Sequence, residues 1–295
     1  MVLYVLQTID QLLQGAFVIA TIGILVVKWH PGLAGFLKYG KTLQPELGSE
    51  SGTNANANAL LHLMLNMRVP KFWFYHFYVL LLMLTSIGYF ITDRDIKLET
   101  IDPFIKYIEN RPYGTIPLEV ARMSFFLLMG HATRRFLETT LMMKYSRTSK
   151  MNIFHYLAGV FFYTAMSLQL FINTDFHSIV DHSHPPTFDP LMFLSIALFL
   201  LASTDQFLNH LHMSRLVKYN IPTYGLFKYV CCAHYFDEIL IYLAVFGLAK
   251  NTTSFLGFLF TFVNLAVSAS ETHAFYKKRM DGKAVPKWFI VPYLL

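Results

Sequence analysis

Leu226-Phe-Lys-Tyr-Val-Cys-Cys-Ala-His234-Tyr-Phe-Asp-Glu238-Ile-Leu-Ile-Tyr242-Leu-Ala-Val-Phe-Gly-Leu248 decides the fold. The run has the length of a bilayer-crossing helix, about 20 mostly apolar residues whose backbone groups pair within the segment. Six further stretches read the same way, near 5–27, 72–91, 117–143, 152–173, 188–208 and 253–275. The chain of 295 residues is 55% apolar and 14% charged. A soluble domain carries about a quarter charged residues, and so apolar a chain cannot stay solvated without burying itself. Both a soluble enzyme and a disordered chain are therefore excluded. The fold class predicted is all-α, a polytopic membrane protein of seven transmembrane helices. It forms one integral unit over 1–295, with an N-terminal helix and flexible loop over 1–70 and a core over 71–295.

The net charge of +6 and pI near 9.1 do not point to nucleic acid, because the basic residues lie between apolar runs rather than on one polar face. The lipid bilayer is the partner that composition implies. Cys231 and Cys232 are adjacent inside an apolar run, so no disulfide framework is built from them. The first stretch reads as a span and not a cleavable signal, since it lacks a basic start and ends in Lys28, Trp29 and His30. Lys and Arg are retained on the cytoplasmic side of short loops. Alternate loops hold fifteen against five of them, which predicts a lumenal or outside N-terminus and a cytosolic C-terminus.

Ionisable groups inside a span are costly and are functional hypotheses by default. Here four spans bring them to the leaflet predicted to face the cytosol. The second starts there with Trp73, Tyr75, His76 and Tyr78. The third ends there with His131, Arg134, Arg135 and Glu138. The sixth starts with Tyr229, His234, Asp237, Glu238 and Tyr242, of which 234, 238 and 242 share one helix face. The seventh ends with Glu271, His273 and Tyr276. Simpler readings stand beside these: Trp73 and Tyr75 as interfacial anchors, Arg134, Arg135 and Glu138 as a local ion pair reaching for headgroups, and His273 with Tyr276 as an ordinary helix end. No GxGxxG or GxxxxGK[ST] occurs, so a nucleotide would be held by neither a Rossmann turn nor a P-loop. His177, His182 and His184 with Asp175 and Asp181, and the pair His210 and His212, suggest a metal. The boxes a di-iron oxygenase needs are missing, and no metal is predicted. The sequon at Asn251 sits too close to the bilayer to be a convincing glycan site.

The stretch Tyr219-Asn-Ile-Pro-Thr-Tyr-Gly-Leu-Phe-Lys-Tyr-Val-Cys-Cys-Ala-His-Tyr-Phe-Asp-Glu238, with His273-Ala-Phe-Tyr276 and the tail Ile290-Val-Pro292-Tyr-Leu-Leu295, resembles the steroid 5α-reductase family. VPKFWFYHFYVL at 69–80 and RRFLETTLM at 134–142 resemble its polyprenol (polyprenal) reductase branch, which serves dolichol synthesis and hence protein N-glycosylation. The resemblance implies a seven-span enzyme of the endoplasmic reticulum membrane that binds NADPH on its cytosolic side and saturates a conjugated double bond. It matches Tyr219, His234, Glu238, His273 and Tyr276 to cofactor-contacting positions, and Lys218 and Arg135 fall near arginines of the pocket. Tyr229 is grouped with this cofactor-binding set. Asp237 stands where a small residue is usual, Lys287 replaces a tail arginine, and Ala132 replaces the tyrosine that is the proton donor of the steroid enzymes. The donor is therefore expected to be Tyr78 or His76, with Glu238 as the third catalytic residue.

Hydride addition to an alkene carbon needs a sink for the charge, which a conjugated carbonyl supplies and an allylic alcohol does not. The aldehyde polyprenal is accordingly expected as substrate rather than polyprenol. The alternatives are a 3-oxo-Δ4-steroid or trans-2-enoyl-CoA reductase of the same fold and, outside enzymes, a seven-helix receptor or a membrane scaffold.

Overall fold

The computed structural model describes residues 2–37, 59, 63–92, 116–146, 149–176, 189–217, 220–280 and 285–295. Seven helices of 17 residues or more occupy the seven apolar stretches: α1 (Val2–Trp29), α2 (Phe74–Thr92), α3 (Leu118–Leu137), α4 (Ile153–Asn173), α5 (Pro190–Arg215), α6 (Ala233–Ala249) and α7 (Thr252–Arg279). Five of them, α1, α2, α4, α5 and α7, have the length and apolarity of a membrane span. The expectation of seven spans is corrected to that extent. The reason is physical: α3 carries Glu119, Arg122, Arg134 and Arg135, and α6 is 17 residues long with Asp237 and Glu238 inside it. Neither is an uninterrupted apolar run over the length by which a span is recognised from composition.

Local chemistry sets the ends. Asn152, Asp189 and Asn251 each accept a backbone N–H of the first helical turn, from Phe154, Leu191 and Ser254, and so cap α4, α5 and α7. Pro190 occupies the first turn of α5, where its missing N–H costs nothing. At the α6–α7 turn Lys250 adopts a left-handed conformation (φ 50°), and its side chain pairs with Asp189 at the start of α5. The stretch predicted to begin at 226 is helical only from 233. Residues 225–228 form a 3-10 turn, and the N–H groups of Cys231 and Cys232 donate to Trp288 and Phe289 carbonyls in the C-terminal tail. The tail takes the partners that an earlier helix start would have used.

Two short strand pairs clip the helices at opposite ends. Antiparallel β1 (Arg68–Pro70) and β3 (Lys150–Asn152) lead into α2 and α4. Parallel β2 (Ile116–Pro117) and β4 (Thr174–Asp175) join the start of α3 to the end of α4. Phe17, Phe125, Phe162, Met166 and Tyr242 fill the middle of the bundle. Outward faces carry Leu12, Ile19, Leu194 and Leu201, the last 71% exposed, while Asp10, Glu138, Gln206, Asn209 and Asp237 are buried. Apolar outside and polar inside is the arrangement lipid favours. On one flank Asp10 accepts hydrogen bonds from Gln14, Asn173 and Thr253, which fastens α1 to α4 and α7. At the other end of α1, Lys28 donates to Glu271 at 2.6 Å.

Glycine permits the closest approach of α2 to α3: a Cβ on Gly88 would lie 2.4 Å from the Phe125 ring, whereas one on Gly130 would meet nothing within 4 Å. Gly88→Val is expected to destabilise the protein by about 1–3 kcal/mol or more, seen as a lowered thermal midpoint in detergent, with Gly130→Ala unchanged or slightly stabilised.

Candidate active site

The last turn of α3 presents His131, Arg134 and Arg135, and Glu138 follows in a π-helical turn over 138–142. Its carboxylate, 2% exposed, is held by three donors: Arg134 Nη1 at 2.5 Å, Arg135 Nη1 at 2.5 Å and His210 Nδ1 at 2.7 Å. His210 Nδ1 lies 2.7 Å from Glu138 Oε2 and 2.8 Å from Arg135 Nη1, and it donates to the carboxylate in the tautomer that carries its proton there. Each arginine has a second task. Arg135 Nη2 donates to the Tyr78 hydroxyl oxygen at 2.8 Å, and its guanidinium lies 4.9 Å from the Tyr78 ring centre. Arg134 Nη2 donates to Gln206 Oε1 at 2.6 Å.

Gln206 passes the connection on. Its Nε2 donates to Glu238 Oε2 at 2.5 Å and contacts the His234 carbonyl at 3.1 Å. The other oxygen of Glu238 lies 3.5 Å from His131 Nε2. Two arginines and two glutamates thus form one neutral network through α2, α3, α5 and α6, the form in which buried charge is tolerated. Beside it, Asn209 Nδ2 donates to Asp237 at 2.7 Å and to Asp205 at 3.1 Å. Tyr163 packs edge-on to Tyr78, with ring centres 5.7 Å apart. Beyond the helices, burial pushes the Tyr145 phenol up to about 12; Tyr78 raises it further and Arg135 opposes. Tyr145 therefore remains a protonated donor at neutral pH, within electrostatic reach of the site.

Of the residues singled out in the sequence, Tyr78, Arg135, His234 and Glu238 come together here. Others do not. His76 turns its Nδ1 to the Tyr156 hydroxyl at 3.2 Å and packs against Trp73, outside the network. His273 and Tyr276 serve the tail and the loop before α6: His273 Nε2 lies 2.9 Å from the Pro286 carbonyl oxygen, and Tyr276 donates to the Asn220 carbonyl at 3.4 Å. Glu271 is taken by Lys28. Tyr229 is about half exposed. Lys218 and Tyr219 lie outside the described residues, as do His177, Asp181, His182 and His184. Among the described residues no group of three or more His, Cys, Asp or Glu is placed to hold a metal ion. His131 was among the polar groups that end the third span, whereas Gln206, Asn209 and His210 were not assigned to the site from sequence. Their signal was present, since 206, 209 and 210 fall on one face of an otherwise apolar helix.

Two recesses flank the network. One, of about 510 Å³, is an apolar trough between α2 and α3 lined by Leu82, Phe126, Met129, Gly130, Thr133, Arg134 and Leu137. The other, of about 390 Å³, is a mixed polar cleft between loop residues 221–228 and the tail, with Thr223, Lys228 and Pro286 in its wall. A dinucleotide fits the chemistry of this second side. The Asn209 Oδ1 acceptor is fully buried and unpaired, and it lies 4.0 Å from where Gly225 would carry a side chain in that loop. Lys228 and the basic end of α7, Lys277, Lys278 and Arg279, supply cations for phosphates.

The chain belongs to the steroid 5α-reductase family. The profile of the family described as 3-oxo-5-alpha-steroid 4-dehydrogenase matches residues 149–295, which covers α4 to α7 and the tail. Within that family the chain is similar to proteins named polyprenal reductase. That of Saccharomyces cerevisiae is 31% identical over 260 residues, covering 88% of this chain and 86% of the other. Those of Drosophila melanogaster (26% over 254 residues, 78% and 77% covered) and Arabidopsis thaliana (polyprenal reductase 1, 26% over 266 residues, 77% and 81% covered) follow.

Removing Glu138 would leave two arginines with Glu238 as the one carboxylate of the network and take away the direct partner of both. Glu138→Ala is expected to cost about 3–5 kcal/mol, measured by thermal or denaturant unfolding in detergent, and more than Glu271→Ala at the partly exposed Lys28 pair.

Proposed function

We propose that the protein is an NADPH-dependent polyprenal reductase, saturating the α-isoprene double bond in dolichol synthesis. The carrying observation is the Tyr78–Arg135 pair. The phenol oxygen of Tyr78 accepts from Arg135 Nη2, a bond that does not use the phenolic proton, and a cationic partner on the oxygen makes the hydroxyl a stronger donor. A hydroxyl so placed suits an aldehyde oxygen on which negative charge develops. Membership of the family and likeness to polyprenal reductases support the substrate class.

NADPH, when bound, supplies the hydride. Thr223, Lys228, Asn209 and the basic end of α7 would hold it, with Lys218, Tyr219, His234, His273 and Tyr276 as the further positions that the resemblance indicates. The rest is done by the chain's own groups. As hydride reaches the β-carbon of the enal, the π electrons move to the carbonyl oxygen, and Tyr78 stabilises the enolate by hydrogen bond or proton transfer; the α-carbon then takes a proton to give the saturated aldehyde. Arg135 orients Tyr78, Glu138 fixes Arg135, and Glu238 with Gln206 fixes Arg134. Glu238 acts in this reading as a positioning residue, and Tyr78, rather than His76, as the donor. The membrane is that of the endoplasmic reticulum, with the site and the C-terminus on the cytosolic face.

Purified protein with NADPH is expected to reduce polyprenal and not polyprenol; reduction of the alcohol alone would defeat the aldehyde reading. Tyr78→Phe should lower kcat by about 10²–10⁴-fold, while His76→Phe stays within a few-fold. Glu238→Gln should abolish turnover while the protein still accumulates. In sealed microsomes a C-terminal tag is expected to be open to protease from outside.

A further inference from the structure

The trough between α2 and α3 has no role in the account so far. Its α3 wall is one stripe, residues 126, 129, 130, 133, 134 and 137, recurring at the three- and four-residue steps of a helix. The stripe runs three turns, about 16 Å. Phe126, Gly130, Thr133 and Leu137 on it are exposed at the lipid-facing surface. Gly130 is what makes the stripe a trough, because the place of its missing side chain is open for 4 Å around. The α2 wall is Leu82, one helical turn beyond Tyr78.

Arg134 is the charged member of this lining. It belongs to the buried network as well, through Glu138, Gln206 and the His131 ring. Its neighbour Arg135 holds Tyr78. One apolar channel thus opens to lipid along its length and abuts, through both of its walls, the pair that would receive an aldehyde oxygen. A phospholipid acyl chain would be matched by the apolar wall alone, whereas an occupant with an apolar tail and a single carbonyl head uses the tail groove and the adjacent donor together.

We infer that the α2–α3 trough is the seat of the prenyl tail and that Gly130 sets how readily a long tail is accepted. The inference rests on the polyprenal reductase reading and names the substrate's binding surface within it. The head group of the substrate lies toward Tyr78, its first two isoprene units lead from there to the trough, the units that follow lie over Gly130 and Thr133, and the remainder of the chain stays in the bilayer.

Gly130→Phe puts a ring into the trough from a position where the added Cβ itself meets nothing within 4 Å. With NADPH, the unmodified protein and this variant are assayed on a long-chain polyprenal and on a short enal of two isoprene units, the second too short to need the groove. The expected result is a loss of roughly tenfold or more in kcat/KM for the long substrate, with the short one within about twofold of the unmodified protein. Equal activity of the two proteins on the long chain would overturn the inference, as would an equal loss on both substrates with an unchanged thermal midpoint. A polyprenal analogue carrying a diazirine in its third or fourth isoprene unit is used separately on the unmodified protein in phospholipid nanodiscs. Labelling within 126–137, competed by unlabelled polyprenal and not by added phospholipid, is expected. Labelling elsewhere, or competition by phospholipid alone, would sink the prenyl seat. Failure of the unmodified protein to reduce either enal, with labelling of 126–137 intact, would instead refute the catalytic reading and leave the tail seat standing.

Discussion

A charge inside a membrane bundle must be matched by another charge or by hydrogen bonds, and Glu138 is where this protein meets that demand. Three donors from two helices converge on one buried carboxylate. Once Arg134 and Arg135 are fixed there, the Nη2 of one donates to Gln206 and that of the other to Tyr78. Glu138 opens the π-helical turn while keeping right-handed helical geometry, so its carboxylate falls back on arginines three and four residues earlier. Helices α2, α5 and α6 are then positioned by polar side chains, in surroundings where lipid supplies no hydrophobic force to hold helix against helix.

This network explains the composition of α3 and α6. In water their charges would mark surface helices. Here Arg134, Arg135, Asp237 and Glu238 are turned into the bundle, and the five more apolar helices bear the segments with the length and hydropathy of spans. The Asp10 cluster at α1 follows the same rule on a smaller scale, with a carboxylate saturated by Asn, Gln and Thr rather than by arginine. Apolar contact fills the middle of the bundle, and polar contact decides which helix lies beside which.

Much of this was legible from residue order. Hydropathy located all seven helices, because backbone satisfaction in lipid leaves few alternatives to an uninterrupted apolar run. The pairing of Arg134 and Arg135 with Glu138 was legible from their spacing of three and four. What sequence could not give was the direction of groups near helix ends. His273 and Tyr276 look like site residues by position and motif, yet the tail and the loop before α6 provide backbone carbonyls that claim both. His76 and Tyr78 are two residues apart and therefore on different sides of α2, so only one meets Arg135. Gln206 was passed over because a neutral amide in an apolar helix attracts less notice than an acid, although it links the two halves of the network. The start of α6 shifted by seven residues because strand-like contacts with a segment almost sixty residues away cannot be seen in local hydropathy.

The Gln206 carboxamide gives the network a sense of direction. One end of that group only accepts and the other only donates, so it fits between a cation on α3 and an anion on α6 and would clash electrostatically with the reverse order. A glutamate at 206 would repel Glu238, and a lysine would crowd Arg134. A neutral side chain with unlike ends therefore works as a key that admits one assignment of signs to the two flanking helices, and a chain with these charges exchanged would have to find a different way to close its interior.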